Sequence, residues 1–375
     1  MLNRRSLRIK IMQSLFAFEQ CKEANHLLAH DLIDEKFQPD LNSMEPQDKE
    51  LLRKQKKVAM QLFERKYRGK ETEENPDAKI NNAVDEAIEL FSKQVKKDQS
   101  FLAKNIVVET EKLTNLYYAV LSLLIEFAGL AAAEKKIDHT HFAKHPLIQA
   151  LINHTELSVA LLKSENVWQK HKDSVRSWFK EIIKEDDAYQ EFIASKKPTE
   201  ENQKSIIKHL ARKRILGAGP IHDFFEAEDI RWAEDREIIK SLVDKTIKSF
   251  EGGEITLQKL SLDWDDDKLF ITKLFANTIN LDEKYKQLIA QNTRNWEVDR
   301  LPLTDRVILE MALAEMVTFP NIPVKVTINE YIELTKEYST PKSRQFINGI
   351  LDVMSKSMKD SGAIKKSGRG LIDNK

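Results

Sequence analysis

Cysteine, glycine and proline are all scarce: one Cys, ten Gly and ten Pro among 375 residues. A lone Cys21 cannot close an internal disulfide, which fits a reducing compartment. So few turn residues exclude collagen-like and linker-rich classes. They also argue against an all-β sandwich, which needs turn signals every ~8–12 positions. Neither GxGxxG nor GxxxxGK[ST] occurs, so the glycine loops that cradle nucleotide phosphates are missing. An excess of one charge is missing too: 60 Lys and Arg balance 60 Asp and Glu. Any attraction to a polyanion must therefore come from a local patch.

Long uninterrupted apolar runs are absent as well. The most apolar stretch, residues 117–133, contains Glu126 and falls short of the roughly 20 apolar residues a span needs, so it reads as a buried helix. The opening Asn3-Arg-Arg-Ser-Leu-Arg-Ile-Lys10 superficially resembles a twin-arginine export signal. Its apolar continuation, residues 11–18, is broken by Gln13 and Ser14 and followed by Glu19, so a cytoplasmic protein is expected, with no membrane partner.

What is present is helical periodicity. Apolar residues make up 41% and charged ones 32%, enough for a core under a wet surface, and the length suggests about two domains. After Asn3, a plausible N-cap, Leu7, Ile11, Leu15 and Phe18 form the stripe of a short first helix. Residues 21–220 are long, charged and helical in pattern, strongest over 108–135. Breaks are expected at 68–77, His145-Pro146, Lys197-Pro198 and 217–220. Beyond them, residues 230–250 read as a helix stopped by Gly252-Gly253. Asp265-Asp266-Asp267 charges the first turn of the next helix. Thr304 and Asp305 are placed to cap a helix through Met316. Thr327-Ile-Asn-Glu330 reads as a capping box, and Thr340-Pro341 as the cap and first residue of a final helix. The tail, residues 359–375, reads as basic and disordered.

Two constellations stand out. Arg4, Arg5, Arg8 and Lys10 crowd the start of a helix, against its dipole; guanidinium groups there suit phosphate and can stack on bases, although a solvated N-terminus would look the same. Arg5, Ile9, Met12 and Phe16 share a second side of that helix. The joint running from Lys336 to Arg344 offers free backbone N–H groups at a helix start. Lys336, Lys342 and Arg344 add cations there, and Tyr338 adds a ring able to stack on an unpaired base. A capped helix with its aromatic folded inward is the plainer alternative. Catalytic or metal constellations are weaker: His141 and His145 have i, i+4 spacing but no HExxH glutamate and no neighbouring Cys. No cofactor, metal site or enzymatic activity is expected.

The residues then carry a resemblance. Asn295-Trp-Glu-Val-Asp-Arg-Leu-Pro-Leu-Thr-Asp-Arg306, Ile322-Pro-Val-Lys-Val-Thr-Ile-Asn-Glu330 and Lys342-Ser-Arg-Gln-Phe-Ile-Asn-Gly-Ile-Leu-Asp352 resemble, in order and spacing, the C-terminal half of the bacterial transcription antitermination factor NusB family. Arg4-Arg-Ser-Leu-Arg8, with Gln13 and Phe16, looks like that family's arginine-rich first helix. The resemblance implies an all-α protein of two helical bundles, the N-terminal one enlarged here by a long helical insertion at about 21–220. Residues 1–250 would form the N-terminal region and 251–358 the C-terminal bundle. It also implies binding of boxA-type single-stranded RNA with the small-subunit ribosomal protein NusE, within the transcription elongation complex on ribosomal RNA genes. The implied RNA-binding residues are Arg4, Arg5, Arg8, Phe16, Tyr338 and Lys342, with Lys10, Gln13 and Arg344 beside them. Phe16 stands where the family often has Tyr, losing a hydroxyl but keeping a stacking ring. A helical protein–protein adaptor without RNA binding is the alternative reading.

Overall fold

The computed structural model describes residues 2–374 apart from 43, 45, 164–166 and 293–300. Its regular elements are helical, and the only bridge among the described residues pairs Glu251 with Glu254 across the Gly252-Gly253 turn, where both glycines take positive φ. Three long helices open the chain: α1 (Arg4–Lys36), α2 (Lys49–Tyr67) and α3 (Ala78–Ala133). Short helices follow, α4 (Thr140–Ala143), α5 (Pro146–Ile152), α6 (Thr155–Lys163), α7 (Lys172–Trp178), α8 (Asp187–Ala194), α9 (Glu200–His209) and α10 (Pro220–Glu228). The C-terminal set is α11 (Trp232–Lys248), α12 (Trp264–Ile279), α13 (Glu283–Asn292), α14 (Leu303–Thr318), α15 (Val324–Tyr338) and α16 (Pro341–Asp360). An all-α chain is what the scarcity of Gly and Pro and the 3.6-residue periodicity require.

Contacts divide the chain into two compact units. One joins the first three residues to Val108–Asp265; the other joins Arg4–Val107 to Asp266–Lys375. In the first, Tyr117, Val120, Leu121, Leu123, Leu124 and Phe127 of α3 are fully buried. The apolar window that is long enough to cross a membrane lies in this helix and is mostly buried within the protein. The Tyr117 hydroxyl bonds Thr246 and accepts from Gln258 N, while Trp168 Nε1 donates to Ala119 O and Ser122 Oγ, each at 3.0 Å. His145 is interior here. Its Nδ1 accepts from Leu147 N as the cap of α5, and its Nε2 faces Gln203 O at 3.1 Å. With both nitrogens engaged, it is a structural histidine and not half of a pair with His141.

In the second unit, α1, α2 and the first half of α3 close over Ala29, Ile33, Phe37, Ala59, Phe63, Ile80, Val84 and Ala87. The N-terminal part of α1 packs instead on α14 and α15, burying Leu7, Ile11, Leu15 and Phe18.

Several expectations need correction. The first helix is not short: α1 continues unbroken through Cys21 to Lys36, because Ala29 and Ile33 extend its apolar stripe onto α2. Thr327 and Glu330 do not form a capping box, since α15 already starts at Val324 after Pro323. Asp305 lies inside the first turn of α14, whose N-cap position is Pro302 with no side-chain cap bond. Residues beyond Asp360 are not loose throughout: Ile364 is buried, and Lys366 Nζ and Ser367 N bond the Phe319 and Pro320 carbonyls at 3.0 and 3.1 Å. The motif residues Asn295 to Arg300 lie outside the described residues.

Candidate nucleic-acid interface

The arginine cluster occupies the first two turns of α1, and each arginine meets an acid of the C-terminal helices. Arg4 pairs with Asp266 and, at 3.2 Å, with Asp267 in the first turn of α12, its guanidinium 4.2 Å above the Phe270 ring. Arg5 forks onto Glu330 of α15, Nε to Oε2 at 3.0 Å and Nη2 to Oε1 at 2.9 Å. That pairing raises the Arg5 pKa further above its ordinary value, against the opposing effect of burial.

Arg8 is different in kind. Its side chain is 3% exposed and makes a two-pronged bond to the fully buried Glu315 of α14, at 2.7 and 2.8 Å. Thr327 Oγ1 and Tyr331 Oη donate to the same carboxylate at 2.9 and 3.1 Å. Burial opposes the Arg8 charge, but the bond to and field of Glu315 outweigh it and hold the guanidinium firmly protonated. An ion pair this enclosed survives only because every lone pair is answered. Arg8 therefore reaches no phosphate without abandoning Glu315, which corrects the expectation that it belongs to an RNA surface. Lys10, 5% exposed, is likewise interior. Gln13 is half-buried, and Phe16 is open to solvent at 39%.

The second constellation is built where α15 ends and α16 begins. The Thr340 hydroxyl accepts from Ser343 N and caps α16, with Pro341 at its first turn. Lys342 and Arg344 are exposed there, while Tyr338 is half-buried. Between α15 and α16 lies an open groove of about 770 Å³ with Glu333, Lys336 and Arg344 along it. Three carboxamides, Asn329, Gln345 and Asn348, also face this groove.

Glu333 links the two constellations. Its carboxylate is held below the usual range, chiefly by the Lys336 hydrogen bond and against burial, with the fields of Lys336, Arg5 and Arg344 adding to it. Arg5 from the start of α1 and Arg344 from the start of α16 thus act on one carboxylate. The middle of α1 is tied in through α14: Arg306 Nη2 meets Glu19 at 2.9 Å, and the neighbouring Asp305 accepts from Ser339 Oγ.

This surface is not a run of uncompensated positive charge. Arg5, Lys336, Lys342 and Arg344 are interleaved with Glu330, Glu333 and Glu337, all three of which also act on Arg5. Along the groove stand exposed cations and amides that both donate and accept, while the exposed Phe16 lies about three turns along α1 from Arg5. The carboxamides and Glu333 were missed in the sequence. Their signal was available: Asn329, Glu333 and Lys336 recur at helical spacing on α15, as Gln345 and Asn348 do on α16.

The NusB family profile matches residues 244–356. Among curated proteins, "Transcription antitermination protein NusB" of Chloroherpeton thalassium is 47% identical over 73 residues, 20% of this chain and 35% of that protein. The protein of the same name from Salinibacter ruber is 46% identical over 68 residues, 18% of this chain and 42% of its own length. That from Dictyoglomus turgidum is 44% identical over 69 residues, 18% and 46% of the two chains. The chain thus spans between about a third and a half of the length of these relatives. No solved structure matches it. The matched segment contains α14, α15 and most of α16, which carry Glu315, Glu330, the groove and the exposed Lys342 and Arg344. What the comparisons show is therefore a C-terminal region, residues 244–356, that is similar to the NusB family.

Proposed function

We propose that this chain is a non-catalytic, cytoplasmic transcription antitermination factor that binds boxA-type single-stranded RNA with the small-subunit ribosomal protein NusE. The observation that carries the reading is the fork of Arg5, from the start of α1, onto Glu330 of α15, next in sequence to Asn329 of the groove that Lys336 and Arg344 also line. Lys342 and Arg344 contact phosphates, each neutralised phosphate releasing its counterions. Phe16 and Tyr338 stack on unpaired bases, and Asn329, Gln345 and Asn348 read base edges. Arg5 is shared between Glu330 and the RNA. Arg8 takes no part in contact; it fixes α1 against α14 and α15 and so positions Arg5.

Binding of a labelled boxA strand and a scrambled strand, with and without the ribosomal protein, tests this. The boxA strand should bind at least tenfold more tightly, and more so with the ribosomal protein present. Equal affinity for both strands refutes it.

One observation favours a second reading, a helical adaptor that binds only protein. Arg4, Arg5 and Arg8 all have acidic partners within the chain. In that case Lys342→Ala and Arg344→Ala would leave RNA affinity unchanged while ribosomal-protein binding persisted.

A further inference from the structure

A group of ligating side chains lies outside the family-matched segment, in the second half of α1. His26 and His30 stand four residues apart and share one face of the helix. Both present Nε2 to the same oxygen of Glu64 on α2, Oε1, at 2.8 Å in each case. The three donor atoms lie within 4.8 Å of one another. His30 makes a hydrogen bond to Glu64. The His26 Nε2 atom is shut off from solvent, and its 2.8 Å approach to Glu64 is an ion-pair contact outside good hydrogen-bond geometry. A buried ring nitrogen held this close to a carboxylate can, once unprotonated, turn its lone pair to a cation shared with that carboxylate.

We propose that His26, His30 and Glu64 form a binding site for a divalent transition-metal ion of the zinc class. Two imidazoles and one carboxylate make a nitrogen-rich set that suits zinc, cobalt or nickel, whereas calcium and magnesium take oxygen ligands. Metal–ligand bonds of about 2.0–2.2 Å in a tetrahedron put the donors roughly 3.3 Å apart. The observed 2.8 Å separations would open by about half an ångström, within the reach of side-chain rotation. The other Glu64 oxygen faces Arg68 Nε at 3.6 Å, which orients the carboxylate from outside the site. Phe63 and Tyr67 wall the imidazoles on one side, with ring centroids 4.6–5.5 Å from them. Three protein ligands leave at least one exchangeable position, and the ion would clip α2 to α1.

The rival cluster, His222 with Asp223 and Glu226, is weaker. Its histidine Nδ1 already accepts from Trp232 Nε1 at 2.8 Å.

The test uses the full-length, tag-free chain stripped with chelator and titrated with cobalt(II), then competed with zinc. One ion per chain is expected, with the visible absorption of a low-coordinate cobalt site and a Kd on the order of 10 µM or tighter. Glu64→Gln, nearly isosteric and able to keep the histidine contacts, should weaken binding at least tenfold. His26→Gln should do the same, His141→Gln should not, and far-UV circular dichroism reports that each variant is folded. Binding at one equivalent that is indifferent to both Glu64→Gln and His26→Gln overturns the proposal, as does the lack of saturable binding at about 100 µM metal.

Discussion

At the scale of single residues, the chemistry of the arginine cluster is decided by acids far away in sequence. Replacing Arg8 by Met leaves Glu315 buried with only Thr327 and Tyr331 to answer it, and should cost about 3–5 kcal/mol. Arg8→Lys should not rescue this, because a point charge cannot span both carboxylate oxygens. Adding Glu315→Leu to Arg8→Met should recover most of the loss, and thermal unfolding of the three variants checks all of this. A second residue prediction concerns pH. Burial drives the His145 imidazole pKa down to about 4, against a modest opposing bond to the Gln203 carbonyl. The unfolded chain then takes up a proton near pH 6.5 that the folded chain refuses. The associated stability is whole above that pH and is lost as the pH falls towards 4, by up to about 3 kcal/mol. His145→Gln should flatten the fall in Tm between pH 7 and pH 4.5; an unchanged slope would refute it. The Arg8 role was only partly legible in sequence. The one available sign was Glu315 itself, a lone acid set among Ala312, Leu313, Ala314 and Met316. Thr327 and Glu330 misled for a related reason: their spacing matches a capping box, yet both are used as partners, one of Glu315 and the other of Arg5.

At the scale of elements, helix ends set by covalent constraints were readable and those set by packing were not. Thr340-Pro341 starts α16 as its local chemistry dictates. Thr340→Ala should therefore cost about 1 kcal/mol, read as a lower Tm, and should raise hydrogen exchange in the first turn of α16. Breaks near Gly69, His145-Pro146 and Gly252-Gly253 are likewise local, since a positive φ leaves the helix and a proline lacks the N–H that would continue the preceding one. The length of α1 is a different matter. Nothing near Cys21 stops the helix, and its continuation to Lys36 rests on α2 and α3 supplying a second core for Ala29 and Ile33. His26 and His30 lie on that continuation, and their i, i+4 spacing is the one shared by His141 and His145. What separates the two pairs is Glu64, a third donor that only the α1–α2 packing brings near.

At the scale of the whole molecule, a balanced net charge implied that any polyanion site would be local, but the acids interleaved with the cations were hidden. Glu330, Glu333 and Glu337 line the helix that receives Arg5, so on the proposed reading phosphates meet the exposed Lys342 and Arg344 and an Arg5 shared with Glu330. Single-stranded RNA affinity should accordingly fall with salt at a log–log slope of roughly −2, and Lys342→Ala with Arg344→Ala should bring this to roughly −0.7. Titrations at several potassium chloride concentrations give both slopes. The convergence of the two chain ends was implied by the family resemblance and by nothing in local pattern, since α1 and α16 are separated by about three hundred residues. The most direct test of that convergence is photocrosslinking of a thiouridine-substituted boxA strand, with the attachment sites mapped by mass spectrometry. Crosslinks to peptides from both the first half of α1 and the start of α16 are the expected result; crosslinks confined to residues 108–265 would contradict the account.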